Sequence, residues 1–267
     1  MENFFSVAWQ AAKSAGSLIR DNWQQAKEVS YKSAIDLVTT VDRQAEKRIV
    51  DILQKHFPDH SILAEEETTV VNSQNEHRWI IDPLDGTTNF AHAYPHFSIS
   101  IALERAGEII LGLVYDPLRE ETFQAAKEAG AFLNGKPIQT SKVGELDKAL
   151  LATGFPYDRR KHADFYLAHF KAFMVRSQGI RRNGSAALDL SYLACGRIDG
   201  FWEFKLHPWD TAAASLIVRE AGGTLTDFSG KEFSIWGEET LASNGIIHPE
   251  MLRVVLEIGN VDSSIVE

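Results

Sequence analysis

The chain has 267 residues, of which 44% are hydrophobic and 24% are charged, proportions typical of a globular protein that buries a core without disulfide bonds. Its length fits one large domain or two modest ones. It carries 37 acidic and 27 basic residues, so its formal net charge is −10. This charge argues against a protein that binds nucleic acid or anionic membranes, since both need clustered positive charge, and it also weighs against an anionic small substrate.

The sequence also lacks the features of disulfide-rich and membrane proteins. The single cysteine, Cys195, cannot form a disulfide bond within the chain, and it cannot build a cysteine-rich zinc site. The longest apolar run, residues 109–115, is far shorter than the ~20 residues that span a bilayer. The first residues carry neither a basic region nor the apolar stretch of a signal peptide. We therefore expect a cytoplasmic protein without membrane association.

The first part of the chain begins with two predicted helices and continues as a series of short strands. Apolar residues recur at helical spacing over residues 4–25 and 41–56, and Pro58 interrupts the second pattern. Strand-like apolar runs follow at residues 61–64, 79–81, 97–103, 108–115, 122–126 and 130–133. The third and fourth of these runs flank a short turn and predict a hairpin. This part therefore predicts an antiparallel sheet covered by helices, of the α+β class.

From residue 147 onward, strand-like and helical segments alternate. Strands are predicted at residues 149–153, 179–182 and 200–204, and helices at residues 162–175, 185–194 and 210–221. Such alternation is typical of parallel βα units. We therefore expect two sub-domains, residues 1–146 of α+β type and residues 147–267 of α/β type. No Pro-, Gly- or Ser-rich linker separates them, so we expect them to form one rigid body.

One segment carries more chemical information than any other: Trp79-Ile80-Ile81-Asp82-Pro83-Leu84-Asp85-Gly86-Thr87-Thr88-Asn89-Phe90. An apolar strand is predicted to end at Asp82, because Pro83 cannot donate to a strand ladder, and the loop can then turn both carboxylates toward one point. Gly86 allows a close backbone approach, and a helix beginning near Thr87 would offer free N–H groups to an anion. Carboxylates beside an anion site indicate a hard divalent cation between them. The alternative is a structural turn in which Asp85 caps the helix.

Three other segments place carboxylates where a cation site could use them, although each has a structural alternative. Glu65 follows a predicted strand, but the run of acids at residues 65–67 is also typical of a solvated loop. Asp210 stands at the start of a helix rich in small residues and could be its N-cap. Asp42 lies in the first turn of a predicted helix, where the helix dipole favours a carboxylate in any case.

Taken together, these segments resemble the inositol monophosphatase family, a group of magnesium-dependent, lithium-sensitive phosphatases. The matching motifs are Asp-Leu-Val-Thr-Thr-Val-Asp at residues 36–42, Ala64-Glu65-Glu66, the central segment 79–90, Pro208-Trp209-Asp210 and Glu220-Ala221-Gly222-Gly223. One departure is Ala64, where many members have glycine. The resemblance implies a layered αβαβα sandwich, with an antiparallel sheet in the N-terminal part and a mixed or parallel sheet in the C-terminal part. It also implies a homodimer.

The resemblance further implies two to three Mg²⁺ ions in the active site. Glu65, Asp82 and the backbone carbonyl of Leu84 would bind the first ion. Asp82, Asp85 and Asp210 would bind the second, and Glu65 with waters would hold a weaker third. Oxygen ligands of this kind suit Mg²⁺ rather than zinc or copper. Paired divalent cations would stabilise the charge of phosphate-ester hydrolysis, which is very slow without a catalyst.

Catalytic and substrate-binding roles follow from the same resemblance. Asp42 and Thr87 would form a hydrogen-bonded pair that orients the attacking water, with Glu65 as a third catalytic residue. The backbone of Gly86 and Thr87 would hold the phosphate. The implied substrate contacts are Asp85, Gly86, Thr87, Thr88, Gly184, Ser185, Ala186, Glu203 and Asp210.

The residues that would distinguish one phosphate monoester from another are less specific than the metal-binding motifs. Glu203 stands where inositol monophosphatases place a carboxylate on a ring hydroxyl and favours myo-inositol 1-phosphate, although it could be a surface residue at a strand end. Ser185 could simply cap a helix, and Arg181 and Arg182 could face the site or a subunit contact. Fructose 1,6-bisphosphate, histidinol phosphate and 3′-phosphoadenosine 5′-phosphate stay open as substrates. A catalytically idle protein that keeps the fold to bind partners is a further alternative.

These assignments change the meaning of the net charge. Five acids are expected to converge on one site: Asp42, Glu65, Asp82, Asp85 and Asp210. Each bound Mg²⁺ would add two positive charges, so the most acidic spot of the chain would become, once loaded with metal, the place where phosphate binds.

Overall fold

The computed structural model describes residues 1–25, 29–31 and 37–262, and Asp36 of the motif at residues 36–42 lies outside them. The helices in this part of the chain are α1 Glu2–Asn22, α2 Thr40–His56, α3 Thr87–Ala91, α4 Ala163–Met174, α5 Ala186–Ala194, α6 Pro208–Glu220 and α7 His248–Asp262. The strands are β1 Val29–Tyr31, β2 Leu37–Thr39, β3 Ser61–Ala64, β4 Thr69–Val70, β5 His77–Asp85, β6 Ser98–Arg105, β7 Glu108–Asp116, β8 Glu121–Ala126, β9 Ala131–Leu133, β10 Lys136–Pro137, β11 Leu150–Thr153, β12 Gly179–Arg181, β13 Gly200–Phe204, β14 Thr224–Thr226 and β15 Glu239–Ser243.

Eight strands form the first sheet in the order β10-β9-β8-β7-β6-β5-β3-β4. Neighbouring strands are antiparallel except for the parallel pair β3 and β5. The predicted hairpin is confirmed as β6 and β7. Helices α1 and α2 pack on each other and on one face of this sheet, and they bury small residues such as Ala8, Ala11 and Ala45 completely. This arrangement confirms the two helices and a sheet that is antiparallel apart from the pair β3 and β5, which makes it mixed.

The second sheet has five strands in the order β12-β11-β13-β15-β14. Strands β12, β11 and β13 are parallel, whereas β15 and β14 run antiparallel to their neighbours, so the sheet is mixed. The alternation of strands and helices thus predicts the parallel half correctly. Helices α4 and α7 cover its outer face and contact each other. The last element predicted from the sequence is the helix at residues 210–221, so β14, β15 and α7 were not predicted.

Helices α5 and α6 form the middle layer between the two sheets, which completes the αβαβα sandwich. Helix α6 lies very close to β7 because Gly112 faces Ala213 there. A Cβ atom on Gly112 would lie 2.3 Å from the Ala213 carbonyl oxygen, so only glycine fits. Since α6 contacts both sheets, it holds the carboxylate of Asp210 in a fixed position relative to β5. The division into residues 1–146 and 147–267 stays a prediction.

The buried apolar side chains form three clusters that follow these layers. The first lies under α1 and α2, the second surrounds α5 and α6, and the third lies between the second sheet and the outer helices α4 and α7. Among the described residues, no helix is long and apolar enough to cross a membrane.

Candidate active site

A cleft of about 560 Å³ opens beside the end of β5, at the N-terminal ends of α3, α5 and α6. The residues that follow β3, β11 and β13 complete its walls. The predicted site residues that line it are Glu65, Asp82, Leu84, Asp85, Gly86, Thr87, Thr88, Gly184, Ser185, Ala186, Glu203 and Asp210. The remaining one, Asp42, is fully buried and contacts the site through Thr87. The structure therefore brings the predicted set together.

Strand β5 continues through the Asp-Pro-Leu-Asp segment as a bulge. Asp82 pairs with Ser100 and Asp85 with Ser98, so three steps along β5 match two along β6. The prediction that the strand ends at Asp82 is therefore wrong, because the missing N–H of Pro83 interrupts the ladder without ending it. Within the bulge, the Leu84 N–H donates to Asp82 Oδ1 at 2.9 Å. The bulge turns both carboxylates into the cleft.

Asp85 joins the first sheet to the middle layer. Its Oδ2 accepts hydrogen bonds from Ser185 Oγ at 2.5 Å and from the Ala187 N–H at 2.9 Å, both at the start of α5. Ser185 is also the N-cap of α5, where its hydroxyl accepts from the Leu188 N–H at 3.4 Å. The capping interpretation of Ser185 is therefore confirmed, and the same hydroxyl also orients Asp85, whereas its contact with substrate stays a prediction.

Gly86 is the N-cap of the short helix α3, so the alternative in which Asp85 caps it is wrong. Its φ of +98° is in the left-handed region that glycine adopts without strain. A Cβ atom would lie 3.1 Å from the carbonyl oxygens of both Gly184 and His96, which leaves no room for a side chain. Gly86 therefore lets α3 begin close to these two backbone segments, and Gly86 and Thr87 both line the cleft.

Asp42 and Thr87 form the predicted hydrogen-bonded pair. The Thr87 hydroxyl lies 2.8 Å from Asp42 Oδ1 and 3.1 Å from the Leu84 carbonyl oxygen. Asp42 is the third residue of α2, and its Oδ2 also accepts from the N–H and the hydroxyl of Thr39, the N-cap. Burial raises the pKa of Asp42 to about 6, although the hydrogen bonds from Thr39 and Thr87 oppose this shift. The carboxyl group can therefore exchange a proton near neutral pH.

Asp210 is the third residue of α6, and the N-cap is His207, so the N-cap alternative for Asp210 is wrong. Its Oδ2 accepts from the His207 N–H at 2.7 Å, which satisfies one free donor of the helix start. The His207 ring stacks on Trp209 with 4.9 Å between ring centres, consistent with a structural role. The remaining faces of the Asp210 carboxylate are open to the cleft.

Burial, with a contribution from neighbouring carboxylates, raises the pKa of Asp82, Asp85 and Asp210. For Asp82 and Asp210, burial is the largest cause, and the charges of Glu65 and Asp85 add to it. Burial likewise raises the pKa of Asp85 to about 6, against the hydrogen bonds of Ser185 and Ala187. Holding several carboxylates ionised in one buried place is therefore costly unless a cation accompanies them.

This donor set fits a divalent cation such as Mg²⁺. It consists of carboxylate oxygens and the Leu84 carbonyl, which are hard ligands, and a cation would offset their mutual repulsion. In the described part of the chain, no group of three or more His, Cys, Asp and Glu side chains already has metal-binding geometry. The side chains would therefore adjust their orientation around an ion.

Glu65 begins a loop whose backbone N–H groups donate hydrogen bonds to a buried glutamate. Glu46, on α2 and 2% exposed, accepts from the Glu66 N–H at 2.8 Å and from the N–H groups of Glu67 and Thr68 at 3.0 and 2.8 Å. Glu67 itself is exposed and pairs with a surface arginine, as the solvated-loop alternative predicts for it. Sequence analysis missed Glu46, whose only local signal is a charge on the buried face of a helix.

Glu203 projects from β13 into the cleft and is not a surface residue. Burial raises its pKa to about 8, although the charge of Arg182 opposes this shift. Its carboxyl group lies against the backbone of Gly154, where an added Cβ atom would be 2.0 Å from Glu203 Oε1. Gly154 therefore makes the space that Glu203 occupies, a role that its sequence context did not reveal.

The segment before α5 is held by the side-chain amides of two half-buried asparagines. Asn89 Nδ2 donates to the carbonyl oxygens of His96 and Asn183, each at 2.7 Å. Asn183 Nδ2 in turn donates to Asp189 Oδ1 at 2.6 Å, and burial raises the pKa of Asp189 to about 8. These contacts fix the Gly184–Ser185 backbone in the cleft wall. The sequence left open whether Arg182 faces the site or a subunit contact. In the structure, Arg182 lines the cleft.

The loop after β11 and the residue after β13 are further parts of the cleft that sequence analysis missed. Residues 153–159 and Lys205 line the cleft next to each other, because Lys205 contacts Asp158. Their position depends on which strands are neighbours in the second sheet, and local sequence patterns do not encode this order.

Comparison with known proteins identifies the family. A family model described as the inositol monophosphatase family matches residues 1–259. The chain belongs to the inositol monophosphatase family. Membership confirms the resemblance drawn from the motifs, and it implies phosphatase activity of the metal-dependent kind found in this family.

Individual relatives within the inositol monophosphatase family carry two kinds of name. The chain is 45% identical over 256 residues to an inositol-1-monophosphatase of Synechocystis sp., an alignment that covers 96% of this chain and 89% of the relative. It is 44% identical over 260 residues to the Nus factor SuhB of Escherichia coli (strain K12), covering 96% and 95%. The crystal structure of the extragenic suppressor protein suhB from Bartonella henselae superimposes with a TM-score of 0.91 at 40% identity, covering 95% of this chain and 98% of the other. The last comparison confirms the fold.

Proposed function

We propose that this protein hydrolyses phosphate monoesters with Mg²⁺ and that myo-inositol 1-phosphate is its substrate. The observation that carries the proposal is the buried Asp42–Thr87 hydrogen bond of 2.8 Å beside four of the acids that line the cleft, which are Glu65, Asp82, Asp85 and Asp210. Membership in the inositol monophosphatase family supports the reaction class. An idle relative would have no need to keep these costly buried carboxylates.

Glu65, Asp82, Asp85, Asp210 and the Leu84 carbonyl are the residues that would hold the metal. When bound, Mg²⁺ would supply positive charge that stabilises the phosphoryl oxygens and lowers the pKa of water. The chain's own contribution begins with this cage, whose side chains are oriented by backbone N–H groups and by Ser185.

The Asp42–Thr87 pair is suited to move a proton. The Thr87 hydroxyl donates to Asp42 Oδ1, which leaves its lone pairs available to accept a hydrogen bond from a water. As that water attacks phosphorus, its proton passes to Thr87 Oγ while the Thr87 proton passes to Asp42. The bond between phosphorus and the ester oxygen breaks, and the alcohol leaves with a proton taken from solvent water. A pKa of about 6 suits Asp42 to this task near neutral pH.

Gly86 and Thr87 would bind the phosphate through backbone N–H groups at the start of α3. Close approach there is possible because residue 86 has no side chain. Thr88, which is exposed at the cleft, would contribute on the same side. The net charge of −10 does not oppose an anionic substrate, since the metal-loaded cluster attracts phosphate locally.

Glu203 supports a neutral polyol as the alcohol part of the substrate. The carboxyl group of Glu203 can accept a hydrogen bond from a ring hydroxyl or donate one to it. Binding of a second phosphate would instead require a cationic side chain at the position of Glu203. Gly184, Ser185 and Ala186 would pack against the ring from the other side.

Phosphate release from a panel of substrates tests the proposal. The panel contains myo-inositol 1-phosphate, fructose 1,6-bisphosphate, histidinol phosphate and 3′-phosphoadenosine 5′-phosphate, with Mg²⁺ titrated and Li⁺ added. We expect the highest kcat/KM on inositol phosphate, no turnover without Mg²⁺ and inhibition by Li⁺. Turnover of none of these esters would contradict the phosphatase assignment, and preference for fructose bisphosphate would contradict the substrate assignment.

A binding role without catalysis is the second candidate, because several relatives are named Nus factor SuhB. The complete set of cleft acids favours the enzyme, and the two roles do not exclude each other. The expected homodimer and cytoplasmic location are part of the same proposal, and light scattering of the purified chain would test the dimer.

A further inference from the structure

Lys205 has a backbone conformation that lysine rarely adopts. Its φ is +56°, in the left-handed region, and it follows β13 directly. The other non-glycine residues with positive φ in the described part of the chain are Ala93, Ala106, Glu120, Glu128 and Asn134, and Lys205 is the one among them that lines the cleft. A left-handed conformation is unfavourable for a residue with a side chain, and residues held in it are common at functional sites.

An ion pair connects Lys205 to the loop that follows the neighbouring strand β11. Its Nζ donates to Asp158 Oδ2 at 2.6 Å, and Asp158 belongs to the loop after β11. Tyr166 on α4 donates its hydroxyl to the other carboxylate oxygen of Asp158 at 2.7 Å. The side chains of Lys205 and Asp158 are 44% and 27% exposed, so both are accessible from the cleft.

The pair combines donors and acceptors at one point of the rim. Lys205 Nζ has three protons, of which Asp158 takes one, and each Asp158 oxygen has a further lone pair. The ammonium holds the pKa of Asp158 below its usual range, so both groups are charged at neutral pH. A second phosphate would have to compete with Asp158 for the lysine. Adjacent hydroxyls of a polyol, in contrast, can accept from Nζ and donate to Asp158 without breaking the pair.

We propose that the Lys205–Asp158 pair is a specificity-determining element that binds the hydroxyl groups of the alcohol part of the substrate. This inference rests on the proposed phosphatase function and adds residues outside the matching motifs. It also explains the strained backbone, because a glycine at residue 205 would fit the local conformation better but would leave the rim without a donor.

Steady-state kinetics of the full-length protein on two substrates tests this assignment. Myo-inositol 1-phosphate carries hydroxyls around its ring, whereas p-nitrophenyl phosphate carries none. We expect Lys205→Met to raise KM for inositol phosphate about fivefold with kcat within about twofold, as for loss of one hydrogen bond to the non-reacting part of the substrate. The same variant should leave both constants for p-nitrophenyl phosphate unchanged. Lys161→Met, which removes an exposed lysine of the same loop as Asp158, is the matched control.

A second variant separates binding from backbone strain. Lys205→Gly should show the same rise in KM for inositol phosphate together with a higher melting temperature, because glycine relieves the left-handed strain. The assignment is overturned if both variants keep the wild-type KM for inositol phosphate, or if KM rises equally for both substrates. If the wild-type protein hydrolyses neither substrate with Mg²⁺ present, the phosphatase proposal fails, and this assignment fails with it.

Discussion

At the scale of single residues, the cleft depends on carboxylates that are buried at a cost and oriented by specific donors. Asp85 is 8% exposed and receives two hydrogen bonds from the start of α5. These bonds favour the ionised form, yet burial still raises its pKa to about 6. A buried ionised carboxylate adds little to the free energy of unfolding, which is consistent with a role of Asp85 in binding a cation.

Asp85→Asn tests this role, since it removes the charge and keeps the shape. The amide oxygen can still accept from Ser185 and Ala187, so we expect normal folding and a melting temperature equal to or above that of the wild type without metal. We expect kcat/KM to fall about 100-fold or more, because charge stabilisation at the phosphate is lost. Asp51→Asn is the control, as Asp51 is an exposed acid paired with Lys47. Near wild-type activity of the Asp85 variant would exclude it as a metal ligand.

At the scale of elements, the sequence predicts the site residues that lie close together in the chain and misses those that meet only through the fold. Asp82, Asp85 and Thr87 lie in one contiguous motif, so their convergence follows from a single strand and turn. Gly154 and Glu203 meet only because β11 and β13 are neighbours, and Glu46 reaches Thr68 across 22 residues. No local periodicity encodes such contacts, which explains why the motif residues were predicted and their supports were not.

Helix α2 acts as a support for the Glu65 loop, and Glu46 is the residue that tests it. Glu46→Ala would leave three backbone N–H groups without their acceptor, which should lower the free energy of unfolding by about 1–3 kcal/mol. Because Glu65 would lose its fixed position, the Mg²⁺ concentration for half-maximal activity should rise about tenfold. Urea unfolding and Mg²⁺ titration of the activity measure these effects.

Two further variants distinguish support of the loop from a general loss of stability. Glu46→Gln retains one oxygen acceptor and should have an intermediate Mg²⁺ requirement. Arg43→Ala removes only the exposed 3.0 Å ion pair from α2 to Glu67 and should change little, as surface pairs contribute little. If the Mg²⁺ requirement of Glu46→Ala equals that of Arg43→Ala, the support has no functional role.

At the scale of the whole molecule, the two sheets bring together acids from distant parts of the chain, and their repulsion acts on stability. Burial raises the pKa of Asp42 and Asp85 to about 6 and that of Asp189 and Glu203 to about 8. An acid with a raised pKa in the folded state stabilises the fold at pH values below its unfolded pKa. That contribution is lost as the pH rises through the folded pKa. The metal-free protein should therefore become less stable between pH 5.5 and pH 8.5.

Mg²⁺ should reverse this trend, because it binds the ionised carboxylates of the folded protein and not of the unfolded chain. Melting temperatures with chelator and with excess Mg²⁺, measured from pH 5.5 to pH 8.5, should diverge as the pH rises. The gain from Mg²⁺ should be small at pH 5.5, where protons compete for the same oxygens, and it should shrink across the range in Asp85→Asn. An equal gain at both ends of the range would mean that the raised pKa values and the cation site are unrelated.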